Sequence, residues 1–376
     1  MLTIGRWGIT ALGLTLMTAA CGSSAAPGAG ERTAPIQRAP TLASEFTPME
    51  LEETIDNLVA EINKNATQPM QMAVLLKEAD GFWSPVVRAA NQAMGELDVT
   101  GSVLGPIESK GDEEEKVEFQ NQQIKQAVAD GAEGIGIAPF GNTQTAAVDE
   151  AVADGVDVVT LDTDVPTTKR SLHIGTLDRS AGATAGETLL AELLPAPGTV
   201  LIHGNEDAGW VSGFERTQGA VEVLEAAGYE VLVRAASWEE AGETEDVDWM
   251  KAQIETADPP VVGMIGLFNI SYRCAMAAEA AGENDFPIVA FDFDPRTVNY
   301  MRAGRIKATH IQRQYYQGYL VPYILYGIKS IGLDATREIL APQRVDDSRI
   351  NTGLDVVRAD KIDAYNDFLD LIGSNQ

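Results

Sequence analysis

Short apolar runs recur along the chain from residue 70, at 72–76, 134–138, 156–161, 199–203, 229–233, 261–265, 287–291 and 306–311. Each is too short for a stable helix and apolar on both faces, which predicts buried parallel strands. Between them, segments at 86–97, 117–129, 143–153, 181–194, 214–227, 272–281 and 315–331 carry apolar residues every three to four positions. That is the period of an amphipathic helix. Gly131, Gly155, Gly228 and Gly282 close four of these segments, where a residue of positive φ ends a helix. Repeated strand–helix alternation predicts an α/β fold of parallel sheets with helices on both faces. Eight strands over this length suit two Rossmann-like lobes better than one sheet.

An internal echo supports two lobes. VVTLDTDVP at 158–166 and IVAFDFDP at 288–295 each carry a buried strand, then Asp-x-Asp, then Pro. Asp162 and Asp292 stand 130 residues apart (292 less 162), about the length of one lobe. Both pairs fall at the carboxyl end of a strand, where open parallel sheets bind ligands.

With 376 residues the chain has room for two domains. Its 45% apolar and 22% charged residues provide for real cores. The formal charge of −29 disfavours contact with phosphate backbones and anionic lipid, so no nucleic-acid partner is expected. Three His and two Cys leave little material for a metal cluster or a disulfide framework, and no metal or cofactor is expected. The charge run ESKGDEEEKVE at 108–118 reads as a solvated loop and helix start. Cys274 lies in an apolar helical pattern and reads as inert core.

The N-terminus reads as an address. Arg6 precedes an apolar stretch from Trp7 to Met17, then Thr18, Ala19 and Ala20, so residues 1–20 form an export signal too short to be a membrane anchor. Cys21 with Gly22, Ser23 and Ser24 resembles a bacterial lipobox, whose Cys is lipidated, although Thr18 stands where Leu is usual. Simple cleavage with Cys21 incidental is the alternative. Residues 21–48 are small, polar and Pro-rich, as in a flexible tether. The expected location is extracytoplasmic, anchored to the cell membrane through Cys21.

No Gly-x-Ser-x-Gly, His-Glu-x-x-His or phosphate-loop motif is present. His173, His203 and His310 are scattered and read as structural. Paired Asp-x-Asp segments hold a divalent cation in some sugar-transferring enzymes, but no basic cluster surrounds either pair to receive phosphates. The alternative use of buried carboxylates is to accept hydrogen bonds from a neutral sugar, with amides in the ring plane and aromatic walls on its faces. The strand ends supply that inventory in Phe82, Trp83, Asp162, Asp164, Asn269, Asp292, Asp294 and Gln312, with Trp210 on the loop after 199–203.

From Met70 to Gly332 the chain resembles a sugar-binding type I periplasmic binding protein of ABC transporters, of the ribose/galactose-binding kind and in lipoprotein form. The stretches that carry the likeness are GFWSPVVRAANQAMGEL, GIGIAPFGNTQTAAVDEAVADGVDVVTLDTDVP, HIGTLDRSAGATAGE, FERTQGAVEVLEAAGYEV, FDFDP and ATHIQRQYYQGY, in that order. The resemblance implies two lobes joined by three crossings that close on a ligand. It divides the chain into a first lobe of 70–175 plus 313–341, a second lobe of 176–312 plus 342–358, and a helical tail at 359–376.

The same resemblance implies that Phe82 and Trp83 form an aromatic wall, that Asp162 accepts from hydroxyls, and that Asp292 and Gln312 bind ligand from the second lobe and the hinge. Asn269 or Phe268 falls where the family often has Asn. Asp178 follows the first crossing, where a site or hinge role is expected. Arg216 opens an Arg-x-x-Gly helix start and is either a lobe-packing cation or a ligand contact; the family's arginine position falls there or on Phe214. Thr163 replaces the Arg that follows this Asp in ribose binders, while Asp164 gives an Asp-x-Asp found in binders of deoxysugars and autoinducer-like ligands. The implied function is delivery of a small neutral sugar or polyol to an ABC permease by a monomeric, non-enzymatic binder. The alternatives are a sensor presenting such a ligand to a membrane receptor, and a glycosyltransferase using Asp-x-Asp. A repressor of the same lobe fold would need a basic N-terminal helix-turn-helix in place of the export signal.

Overall fold

The computed structural model describes residues 35–40, 44–65, 69–106, 113–193, 196–239 and 241–373. The export signal, Cys21 and residues 21–34 of the expected tether lie outside the described residues. No helix among the described residues is long and apolar enough to cross a membrane.

Two six-stranded sheets repeat one topology. The first holds β1 (Gln71–Leu75), β2 (Thr100–Leu104), β3 (Gly134–Ile137), β4 (Asp157–Leu161), β5 (Leu172–Gly175) and β11 (Arg349–Asn351), in the order β11-β5-β4-β3-β1-β2. The second holds β6 (Thr199–Gly204), β7 (Glu230–Ala235), β8 (Val261–Gly266), β9 (Ile288–Phe291), β10 (Ile306–Gln312) and β12 (Leu354–Arg358), in the order β12-β10-β9-β8-β6-β7. All pairings are parallel except β10 with β12. This is the α/β architecture of two Rossmann-like lobes expected from the alternation. The central strands are buried on both faces, which is why they read as unbroken apolar runs. The four helix-ending glycines have φ of 89°, 88°, 89° and 75°.

In the first lobe the helices are α1 (Met49–Ile62), α2 (Ser84–Leu97), α3 (Glu113–Ala129), α4 (Thr145–Ala153), α10 (Gln314–Ile331) and α11 (Leu333–Ile339). In the second they are α5 (Asp178–Leu190), α6 (Val211–Ala226), α7 (Gly242–Thr256), α8 (Tyr272–Ala280), α9 (Pro295–Arg302) and α12 (Ile362–Leu371). The chain passes between sheets after β5, after β10 and between β11 and β12. At the third passage Gly353 has φ +86°, and a Cβ there would meet the Arg313 guanidinium at 2.5 Å, so only glycine fits the turn.

Three expected boundaries are corrected. β11 pairs with β5, so the chain through Asn351 belongs to the first lobe and only β12 to the second. The expected C-terminal tail is core: Ile362, Tyr365, Phe368 and Leu369 of α12 pack into the second lobe. The described part of the expected tether, 35–40 and 44–48, lies on the folded body, where Ile36 joins the first-lobe core beside Leu51, Ile55 and Leu58. Isolated apolar residues among Pro, Ala and Thr carry no period, which is why composition points to a linker there.

Helix α1 is therefore structural. Leu58→Ala, at a fully buried position, is expected to cost about 2–5 kcal/mol in denaturant unfolding. A loss below about 0.5 kcal/mol would mean that α1 is an appendage.

Candidate ligand site at the strand ends

In the first lobe, Asp162 follows β4 with φ 61°; in the second, Asp292 follows β9 with φ 62°. Both strands are the fourth of their lobe. A left-handed backbone is unfavourable for any residue but glycine, and Asp and Asn tolerate it best. Around Asp162 the turn is tight: the Thr163 amide donates to the Leu161 carbonyl at 2.7 Å, and the Asp162 amide donates to Ile174 O at 3.0 Å. The Asp292 amide donates in the same way to His310 O at 2.9 Å. Matching strained turns at matching strand ends aim one carboxylate from each lobe.

The second Asp of each pair does something else. Asp164 is bound through both oxygens by Arg170, at 2.6 and 2.7 Å, and accepts from Thr160 at 3.3 Å. Asp294 caps α9, accepting from the Arg296 and Thr297 amides at 2.8 and 3.4 Å, with Pro295 in the first turn. Neither pair presents two adjacent free carboxylates, and the described residues contain no group of three His, Cys, Asp or Glu poised for a metal. Asp164, expected beside Asp162 at the site, is thus engaged by Arg170 and Thr160.

Lys77, just beyond β1, donates to Asp162 Oδ2 at 3.4 Å and to Thr163 Oγ1 at 2.7 Å. Its ammonium lies 5.8 Å from the Trp83 ring and 5.9 Å from Phe140. Trp83 is buried, and Phe82 meets it edge-on at 5.1 Å. In the second lobe Arg216 is buried at the centre of a network. Its Nε and Nη2 donate to Asp178 Oδ1 at 3.1 and 2.6 Å, Nη2 also to Gln312 Oε1 at 3.0 Å, and Nη1 to Leu267 O at 3.0 Å. Gln312 in turn donates to Asp292 Oδ1 at 3.2 Å. The guanidinium rests over Phe291 at 4.7 Å and Phe268 at 5.7 Å. Arg216 thus ties Asp178 at the start of α5 to the ends of β8 and β10.

Trp210 packs on Phe268 at 4.8 Å and meets Trp238 edge-on at 5.5 Å, while Asn269 is half-buried directly after Phe268. Trp238 remains 52% exposed. Its loop is held by Arg273, which donates to Ser237 O at 2.6 Å and to the wholly buried Asp246 at 2.6 Å.

The two halves meet. Ser212 Oγ of α6 donates to the Asp162 carbonyl at 3.4 Å, and a Cβ on Gly141 would come within 3.3 Å of Gly209 O. Electrostatics couple the same groups. Burial pushes Asp292 up to about 7 and Asp178 up to about 6; Asp162 raises both further, and Arg216 opposes the rise in each. Asp178 and Asp162 each touch a cation, whereas Asp292 accepts from the neutral Gln312 amide. A groove of about 390 Å³ at the hinge, bordered by Met49, Arg313 and Gly353 among others, is lined by none of these carboxylates.

Of the residues singled out in the sequence, Asp162, Asp178, Arg216, Asp292 and Gln312 form one electrostatically connected cluster. Phe82 and Trp83 join it through Lys77, and Trp210 through Phe268, while Asn269 is half-buried next to Phe268 in the chain. Asp164 does not join it. Sequence reasoning missed Lys77, Phe140, Ser212 and Trp238; Lys77, next to Glu78, looks in sequence like one more solvated charge. The three histidines are buried and hydrogen-bonded, His173 to Thr160, His203 to Asp246, and His310 to Thr188 and Ala290 O. Burial pushes the Cys274 thiol up, as expected for an inert core residue.

No curated protein matches the chain. Among solved structures, a glucose-galactose binding protein from Geobacillus stearothermophilus, GanP, shares 22% identity over 78% of this chain and 99% of its own, with a TM-score of 0.63. An ABC transporter solute-binding protein from Burkholderia graminis, in complex with D-arabinose, shares 23% over 79% and 97%, with a TM-score of 0.63. Another from Agrobacterium vitis, with bound D-fucose, shares 20% over 78% and 97%, with a TM-score of 0.60. Likeness at this identity establishes the shared fold. A family model, the periplasmic binding protein domain, matches residues 72–330. This chain of two hinged α/β lobes belongs to the periplasmic binding protein domain family, a family of binders rather than enzymes.

Proposed function

We propose that this protein captures a small neutral sugar or polyol outside the cytoplasm and delivers it to an ABC importer, anchored to the membrane through a lipid on Cys21. The observation that carries this reading is the pairing of Asp162 and Asp292, one from each lobe in the same strained turn, with Gln312 and Arg216 beside them and Trp83 on the first-lobe side. Carboxylates and an amide accept and donate around a sugar's rim, and aromatic rings cover its C–H faces. The ligand bridges the strand ends of both lobes and so stabilises the closed form that the importer recognises. Closing expels water, which strengthens each hydroxyl–carboxylate bond. The cation beside Asp162 comes from Lys77 rather than from position 163, where ribose binders carry Arg. The bound sugars of the Burkholderia and Agrobacterium neighbours, D-arabinose and D-fucose, are the first to test.

A thermal-shift screen of pentoses, hexoses, deoxysugars, polyols and nucleosides tests the proposal. A true ligand raises the unfolding temperature with a stabilisation that grows as the logarithm of its concentration above the dissociation constant, about 2.7 kcal/mol at a hundredfold excess. The sugar should be recovered chemically unchanged. A screen in which only charged solutes stabilise the protein, or in which the sugar is converted, would overturn the reading.

A further inference from the structure

We propose that Phe46 and the C-terminal helix form a latch that braces the hinge and biases the two lobes toward closure, a fourth tie beyond the three crossings. It rests on the lobe closure proposed above but not on the identity of the ligand.

The N-terminal segment is first fixed to the first lobe. Ile36 N donates to Asn63 Oδ1 at 2.7 Å, and Asn63 Nδ2 returns to Ile36 O at 3.0 Å. Arg38 pairs with Glu52 and Asp56, and Glu52 accepts from Tyr316 of α10 at 2.7 Å. Just before α1, residues 44–48 include a contact with the other lobe. Phe46 meets Tyr365 edge-on at 5.0 Å and Phe368 at 6.0 Å, both on α12 in the second-lobe core. Glu45 pairs with Lys361 at 3.1 Å along the same seam.

Tyr365 connects this contact to the moving parts. Its hydroxyl donates to Asp355 Oδ2 at 3.1 Å. Asp355 Oδ1 accepts from Arg313 Nε and Nη2 at 2.9 and 2.7 Å, and Arg313 Nη1 donates to Thr352 O at 3.0 Å. Arg313 and Thr352 lie on the second and third crossings. The Tyr365 ring also lies 5.9 Å from Phe293, the residue between Asp292 and Asp294. One aromatic contact therefore reaches both the hinge and the element that carries the ligand carboxylate. Phe46 and Tyr365 both stand outside residues 72–330, the span that matches the family model. An aromatic pair of this kind shifts a two-state equilibrium about threefold to tenfold.

The test uses the ligand-free full-length chain, Phe46→Ala and Tyr365→Phe. X-ray scattering should show Phe46→Ala as more extended than the wild type. Amide hydrogen exchange at 176–177, 313–316 and 351–355 should quicken threefold to tenfold, with the central strands of both sheets unchanged. Tyr365→Phe keeps the ring and should quicken the second and third crossings alone. Should Phe46→Ala fail to fold, Phe46→Leu, which keeps an apolar side chain but removes the ring contact with Tyr365 and Phe368, carries the test. Wild-type scattering and hinge exchange in both variants would overturn the latch, as would exchange rising evenly over the second lobe, the mark of ordinary packing loss. These readouts decide the matter even if no sugar in the screen binds. With a sugar that does bind, Phe46→Ala should weaken affinity threefold to tenfold through faster release.

Discussion

Arg216→Met is expected to abolish solute binding and to lower stability by about 3–5 kcal/mol at pH 8, the cost of leaving a buried charge without its partner. Arg216 is buried and contacts Asp178, Gln312 and the Leu267 carbonyl at once. Without it Asp178 loses the cation that offsets its charge, and Gln312 loses the donor that turns its amide toward Asp292. Met fills similar volume, so lost packing contributes little. The penalty should shrink at pH 5, because burial already pushes Asp178 up to about 6 and Asp292 up to about 7, and both then protonate. Denaturant unfolding at the two pH values measures this. A loss below about 1 kcal/mol at pH 8 would show that the cluster is not held by Arg216, and adding Asp178→Asn should restore part of the stability.

Asp292→Asn is expected to act in opposite directions on binding and on stability. Accepting hydroxyl hydrogen bonds through a charged oxygen contributes about 1.5–3 kcal/mol, so affinity should fall ten- to a hundredfold. The ligand-free variant should nevertheless be more stable than wild type at pH 8. Burial raises the Asp292 carboxyl to about 7, against about 3.9 for an unfolded chain. Between these values the folded state keeps a proton that the unfolded state has lost, so wild-type stability falls as pH rises from about 4 through 7. Asparagine removes that fall, and the difference between the proteins should vanish near pH 4. Affinity for a hydroxyl donor runs the other way, rising with pH until Asp292 is ionised and flat above that. Calorimetric titration of a stabilising sugar from pH 5 to 8.5 checks the profile; a flat wild-type curve would mean that Asp292 does not accept from the ligand.

Much of this architecture is legible in the amino-acid sequence, and the gaps have physical causes. The central strands stand out because burial on both faces demands unbroken apolar residues. β2 does not: Thr100–Leu104 is a largely exposed edge strand with a glycine inside it. β11 has only three residues, β12 is largely unburied, and both gain their partners from distant sequence, so no local period marks them. The repeated motif containing Asp-x-Asp correctly locates both strand ends, yet its two carboxylates look alike in sequence. Only backbone geometry separates Asp162 and Asp292, in left-handed turns, from Asp164 on Arg170 and Asp294 on a helix cap. Arg216 stays open between packing and ligand contact in the sequence because a buried guanidinium and a surface one have the same letter. Phe46 is hidden in a stretch whose composition matches a tether.

The central claim is that one neutral solute is held by carboxylates from both lobes at once. A crystal structure of the protein with a sugar that stabilises it in the thermal screen tests this most directly. The account predicts density for that sugar with its hydroxyls within hydrogen-bond distance of both Asp162 and Asp292, and with a ring face against Trp83. Density lying elsewhere, or touching only one of the two aspartates, would contradict it.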